Sequence, residues 1–246
     1  MNLSGISSKS ALGRLLRLPL GLIPAEATLP ILQGRLRGKK WIVAASDHGC
    51  WLGSYEYKKR LVFESQVQPG TVVFDVGAQA GFYTLLASVL VGAQGRVFAF
   101  EPVPSNLAYL RRHMELNGVS NVSVIDAAVT DRPGWTQFEL GPSASMGHLS
   151  PHGAIRVRTV CLDDLVRSKE IPVPGHVKID VEGSELLVLR GAQSLLAAFH
   201  PTLYLATDLG ELHHDCCQLL RGLDYTLAPI DTDHLESSYE ILAYRS

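Results

Sequence analysis

The chain has 246 residues, of which 46% are hydrophobic and 19% charged, the content of one large globular domain with a real core, or one with a modest extension. A net charge of −2 supplies no bulk field to gather nucleic acid or an anionic membrane. No run approaches the roughly 18 apolar residues of a membrane span, and four cysteines without framework spacing, Cys50, Cys161, Cys216 and Cys217, point to a reducing, cytoplasmic compartment.

The opening "ALGRLLRLPLGLIPAEATLPIL" is apolar, but arginines and prolines interrupt it and no small-residue cleavage site follows. It reads as a short amphipathic helix packed on the domain, not as a signal peptide or anchor. The basic residues of the N-terminal region, Lys58, Lys59 and Arg60 among them, read as a solvated face. "WIVAAS" has the pattern of a strand, "DHGCWLGSYEYKK" of an aromatic-rich loop, and "LVFESQV" of a short helix or strand. Pro69-Gly70 then punctuates the chain. Residues 1–68 are therefore expected to form a cap or lid, and residues 69–246 the main domain.

From Thr71 the periods alternate. "TVVFDV" is a buried strand and "GFYTLLASVLVG" a helix; "GRVFAFEP" is a strand and "SNLAYLRRHMELNG" a helix; "VSVIDAAV" is a third strand. "WTQFEL" and "AIRVRTV" alternate like exposed antiparallel strands around the connection "GPSASMGHLSPHG". "HVKIDV" is again buried, "SELLVLRGAQSLLAAF" is helical, "PTLYLAT" is a strand, "ELHHDCCQLLRGL" is a helix, and "YTLAPI" and "YEILAYR" form a closing pair. Such alternation implies a Rossmann-like α/β fold with a seven-stranded, mostly parallel sheet whose last strand is antiparallel.

Ligands of such sheets bind beyond the carboxyl ends of the strands. The first turn there is "DVGAQAG". Gly77 and Gly81 let the backbone approach a ligand, with Ala78 and Gln79 between them and Phe82 and Tyr83 opening the helix. Asp75 ends the strand and is expected to aim into the crevice. Glu101 of "FEP", 26 residues later, is placed beside Pro102 to accept both hydroxyls of a ribose. Asp126 ends the third strand, where its carboxylate can accept an adenine amino group and the Ala127 N–H can reach the ring. A dinucleotide fingerprint needs a glycine pair two apart for its pyrophosphate, and this turn lacks one. An acid before the turn would repel a pyrophosphate but suits an amine and a positive centre, as S-adenosylmethionine carries.

At these residues the chain resembles the FkbM-type methyltransferases, through "FDVGAQAGFYTLLA", "VFAFEPVPSNLAYLRRHMELNG", "VSVIDAAVTD", "VRTVCLDDLV", "VKIDVEGSELLVLRGA" and "PTLYLATD" in order, from about Val72 to Ile230. The resemblance implies the class I methyltransferase fold, S-adenosylmethionine, and transfer to an oxygen of a small metabolite, natural product or sugar. In one departure, many members carry a glutamate at the end of the strand after "KIDVEG", where this chain has Ala206 and Thr207, with Asp208 beyond.

Methyl transfer is an in-line displacement that needs alignment and removal of the acceptor's proton. "KIDVEG" supplies Lys178, Asp180 and Glu182. Strand alternation would send Asp180 and Glu182 to one side, Asp180 nearest the reacting centre and in reach of the cofactor, with Glu182 as base or orienter. Glu182 could instead cap the next helix, and Lys178 simply pair with an acid. His148, His152 and His48 are rival bases on loops, and His48, Trp51 and Tyr55 could wall the acceptor pocket. His213 and Cys217 share a helix face without a second ligand pair. A divalent ion on Asp180 and Glu182 is chemically possible, but no spacing indicates one. Two other classes stay open: an NAD(P)-dependent oxidoreductase, and a non-catalytic protein keeping the cofactor fold.

Overall fold

The computed structural model describes residues 20, 22–141 and 147–245. Of the stretch read as an N-terminal amphipathic helix, residues 11–19 and 21 lie outside the described residues, and residues 22–32 are not an α-helix but turns leading into a strand at Thr28–Pro30. Apolar runs that must hide both faces become the centre of a parallel sheet. Strands β3 (Val72–Val76), β4 (Arg96–Phe100), β10 (His176–Ile179) and β11 (Thr202–Ala206) are those runs; the half-buried β5 (Val122–Ile125) forms one edge, and β12 (Thr226–Pro229) and β13 (Glu240–Tyr244) close the other. Their spatial order is β12-β13-β11-β10-β3-β4-β5. Every pairing is parallel except those of β13, which runs antiparallel to both its neighbours. The expected seven-stranded architecture is therefore present. The strand order reverses between β3 and β10, and the crevice lies beyond their carboxyl ends.

Alternation along these strands divides the interior into two cores. Phe74, Val76, Phe98, Phe100, Val177 and Ile179 face one side, where they meet helices α6 (Glu185–Arg190), α7 (Gln193–Phe199) and α8 (Glu211–Gly222). Val73, Val97, Ala99 and Tyr204 face the other. Helix α3 (Phe82–Val91) is apolar nearly all round and is correspondingly sandwiched there. Ile31, Trp41 and Phe63 of the N-terminal segment complete that second core.

The N-terminal segment corrects several expectations. The strand read in "WIVAAS" spans only Lys40–Ile42 (β2), paired with Thr28–Pro30 (β1), before the chain turns into a 3-10 helix. The expected loop "DHGCWLGSYEYKK" is mostly helical. Helix α1 (His48–Leu52) starts where the Asp47 side chain accepts from the Gly49 N–H at 2.6 Å, and it stops at Gly53 in the left-handed region. Helix α2 (Tyr57–Gln66) follows and buries Lys59 and Arg60, which are therefore not a solvated face. The single helix expected in "SELLVLRGAQSLLAAF" is two, α6 and α7. At the break, a Cβ on Gly191 would meet the Thr130 carbonyl oxygen at 2.0 Å, and the Gly191 carbonyl is diverted to the Asp163 N–H of helix α5 (Leu162–Arg167). The alternating pair β7 (Gly134–Glu139) and β9 (Ile155–Val160) is antiparallel as expected, inside a separate four-stranded sheet with β6 (Ala128–Val129) and β8 (His148–Leu149).

One buried residue staples the N-terminal segment to the glycine turn. His113, on helix α4 (Pro104–Leu116), stacks on Trp41 with 3.8 Å between ring centroids. Its Nε2 accepts from the Ile42 N–H at 3.0 Å, so the proton sits on Nδ1, which donates to the Ala80 carbonyl at 2.8 Å. Burial lowers its pKa to about 4. The unfolded chain takes up a proton near the ordinary histidine value while the folded chain does not, so stability is lost as pH falls between about 6.5 and 4. His113→Phe is expected to be less stable at neutral pH, with two polar groups orphaned, and to lose about 3 kcal/mol of that acid dependence. Thermal melts of both proteins across that range check this.

Candidate active site

The strand register builds the site from its floor. Asp75 and Lys178 are Cα partners in the parallel pair β3–β10, on the same face, so a buried lysine finds its counter-ion directly across the ladder. Lys178 Nζ lies 3.3 Å from Asp75 Oδ1 and 3.6 Å from Asp180 Oδ2, and it donates to the Gly77 carbonyl at 2.9 Å. The Thr84 hydroxyl donates to Asp75 Oδ2 at 2.6 Å. Asp75 is therefore 1% exposed and does not line the crevice. It braces the lysine and the first turn of α3 from beneath the cleft.

Above this floor is a cleft open to solvent. Gly77, Ala78, Gln79, Phe82 and Tyr83 form one wall, and Glu101, Pro102 and Ala127 continue it. The turn closes tightly on the opposite loop: Gly77 has φ 77°, and a Cβ there would sit 1.8 Å from the Asp180 carbonyl oxygen. Gly81, with φ 90°, packs on Leu110 instead of facing the cleft. Glu101 accepts from the Gln79 N–H at 2.8 Å, the Val103 N–H at 2.9 Å and the Asn106 amide at 3.2 Å. Burial pushes its carboxyl up, against those three bonds. Asp126 is half exposed and ion-paired with Arg111, and Ala127 next to it takes the wall position.

The remaining wall comes from "KIDVEG" and the side sheet. Strand β10 ends at Ile179, and the chain does not stay extended: Glu182 has φ 54° and Gly183 φ 96°. The loop is closed by Glu185, which accepts from the Val181 N–H at 3.1 Å and the Gly183 N–H at 3.1 and 3.2 Å; the helix that follows has no side-chain cap, so Glu182 does not cap it. Asp180 and Glu182 both line the cleft even so. Burial would raise Asp180, but Lys59 and Lys178 hold it down to about 2. Glu182, although exposed at the cleft mouth, goes the other way: partial burial, then the charges of Asp180, Asp208 and Glu185, push it up to about 7. Two neighbouring carboxyls thus differ in basicity, one a fixed anion and one that titrates near neutrality.

The histidines and aromatics divide. Gly147, just before β8, and Leu149 within it line the cleft, and His148 between them lies 3.8 Å from Glu139 on the neighbouring strand. His148 and His152 do not line the cleft, nor do His48 and Trp51, which bond each other: the Trp51 indole N–H donates to His48 Nδ1 at 3.0 Å. Tyr55 does line it, edge-on to Phe82. Sequence reasoning missed Phe138, Leu149 and Ser184 in the lining, and it missed Lys59, whose ammonium is 3.3 Å from Asp180. Ala206 is the register partner of Glu240 on β13, which puts a carboxylate beside the position of the missing glutamate. His213 bonds Thr207 at 2.8 Å and lies 3.6 Å from Cys217. Among the described residues no His, Cys, Asp or Glu group is arranged to hold a metal ion, and no helix is long and apolar enough to cross a membrane.

The donor set fits an adenosyl ligand without phosphates. Among the described lining residues Lys178 is the one cation, and Asp75, Asp180 and the Gly77 carbonyl already occupy it. Nothing there would neutralise a pyrophosphate, whereas Glu101 can accept from a ribose and the carboxylate-rich end suits an ammonium or sulfonium.

Comparison with known proteins agrees. A family model described as "Methyltransferase FkbM domain" matches residues 75–227. The chain is 33% identical to the hexuronic acid methyltransferase AglP of Haloferax volcanii, over 56% of each protein. It is 32% identical to the 31-O-demethyl-FK506 methyltransferase FkbM of Streptomyces tacrolimicus, over 52% of this chain and 62% of that one. The matches thus span little more than half the length of these relatives. A SAM-dependent O-methyltransferase from Thermotoga maritima shares the fold, with a TM-score of 0.50 at 12% identity, covering 77% of this chain and 65% of that one. With the sheet order, the glycine turn and the "KIDVEG" loop all in place, and with S-adenosylmethionine as the cofactor its cleft fits, the chain belongs to the FkbM methyltransferase family.

Proposed function

We propose that the protein transfers a methyl group from S-adenosylmethionine to a hydroxyl of a small molecule, a natural product or a sugar. The observation that carries this reading is the pair of unequal carboxyls at one end of the cleft. The bound cofactor supplies an electrophilic methyl group on a sulfonium. Gly77 to Tyr83 and Glu101 hold the adenosyl part, and Asp180 stands as a fixed anion that orients the acceptor hydroxyl. Glu182, poised near neutrality, takes the hydroxyl proton onto its carboxylate as the new bond forms. Phe138, Leu149 and Tyr55 give the acceptor end apolar walls that exclude water. The two named relatives, which act on a hexuronic acid and on a demethylated FK506, support a hydroxyl acceptor. The carboxylates of the acceptor end support one that itself carries no carboxylate.

The test is transfer of a labelled methyl group to a panel of neutral sugars, macrocycle alcohols and uronates over a range of pH. The expected rate rises with pH through about 7, as Glu182 loses its proton. Glu182→Gln should remove that limb and lower the plateau roughly 100-fold. Transfer that is indifferent to both the pH and this substitution would remove Glu182 as the base.

A further inference from the structure

We propose that Lys59 is a positioning residue of this site: from the N-terminal segment it fixes the Asp180 carboxylate at the reacting end of the cleft and makes the segment part of the catalytic unit. The inference rests on the methyl-transfer reading only in calling that end reactive; the fixation itself is a matter of geometry.

Lys59 is 2% exposed, and a lysine is so deeply buried only where carboxylates receive it. Three do, from three separate parts of the chain. Its Nζ lies 3.1 Å from Glu56 at the entry to α2, 3.3 Å from Asp180 after β10, and 3.0 Å from Glu240 on β13. The ammonium donates hydrogen bonds to Asp180 and Glu240, and Glu56 stands at ion-pair distance. The same nitrogen sits 5.4 Å from the centre of the Tyr83 ring, on the cofactor wall.

The arrangement would be self-repelling without the lysine. Asp180, Glu56 and Glu240 converge on one point, and like charges that close either separate or take up a proton. Burial pushes Glu240 up to about 7, as it does Glu182, so each carries only part of a charge near neutrality; burial pushes Glu185 up as well, and Tyr83 and Tyr55 are neutral. The other cation in reach, Lys178, is divided between Asp75, the Gly77 carbonyl and Asp180, and its distance to Asp180 is the longer one. Lys59 therefore supplies the shorter of the two ionic contacts that locate Asp180. It does so from 121 residues away in sequence.

A purely structural brace would give the same distances, so the experiment must read Asp180 itself. The full chain is labelled with ¹³C at aspartate carboxyls and titrated as wild type, Lys59→Met and Lys59→Arg, with thermal melts and calorimetry with S-adenosylhomocysteine alongside. In the wild type the Asp180 signal should stay flat from about pH 4 to 9. In Lys59→Met it should titrate at least about one pH unit higher, and methyl transfer should fall roughly 10-fold or more and drop more steeply than wild type below the Glu182 limb, while Lys59→Arg restores both. In an Asp180→Asn background, Lys59→Met should add little further loss of transfer. A Lys59→Met protein that melts earlier but keeps the wild-type Asp180 titration and pH profile would overturn the proposal. If that variant does not fold, the wild-type titration decides, because an Asp180 carboxyl titrating between about pH 4 and 7 overturns it equally. Failure of the methyl-transfer reading looks different: no acceptor is methylated, yet the Asp180 titration still responds to Lys59.

Discussion

Asp180→Asn should lower methyl transfer about 100- to 1,000-fold while changing the affinity for S-adenosylhomocysteine no more than a few-fold. The substitution keeps the shape of the side chain and removes its charge. The fold should tolerate it, because each buried lysine keeps another acid: Lys59 retains Glu56 and Glu240, and Lys178 retains Asp75. The adenosyl wall from Gly77 to Tyr83 and Glu101 is untouched. What is lost is a preorganised anion at the reacting end, and losing one such electrostatic partner costs that order of rate. Single-turnover transfer and calorimetry on the same preparation separate the two effects. A loss of affinity matching the loss of rate would place Asp180 in cofactor binding alone.

Glu101→Gln should do the reverse, weakening binding of the cofactor on the order of 100-fold, equivalent to about 2.7 kcal/mol. Glu101 accepts three hydrogen bonds from Gln79, Val103 and Asn106, and an amide in its place would set its own N–H₂ against one of those donors. The turn that cradles the adenosyl group would lose its anchor to the end of β4, together with the acceptor for a ribose. At saturating cofactor the rate should recover most of its wild-type value, since Asp180 and Glu182 stay in place. Calorimetry and a saturation curve in S-adenosylmethionine check both halves.

The sheet was legible because its strands hide both faces and so read as continuous apolar runs between turn residues. The site was legible only in part, and strand parity explains which part. Residues beyond a strand's end, such as Gly77, Ala78 and Glu101, fall at the crevice whatever the register. Asp75 lies within its strand, so its direction depends on what stands opposite. Lys178 in the middle of "HVKIDV" carried the signal, since a cation in a buried strand needs an acid at the same level. Around His148, it is Gly147 and Leu149 that line the cleft. Lys59 was hidden for a different reason. "YKKR" looks like a solvated run, and its partners Asp180 and Glu240 lie 121 and 181 residues away, a pairing that only the fold creates.

The most direct measurement of the central claim is a crystal structure with S-adenosylhomocysteine bound. The account predicts the ligand in the cleft between the Gly77–Tyr83 turn and the "KIDVEG" loop, its ribose on Glu101 and its sulfur facing Asp180 and Glu182. A ligand bound elsewhere, or one whose sulfur points away from both carboxylates, would contradict it.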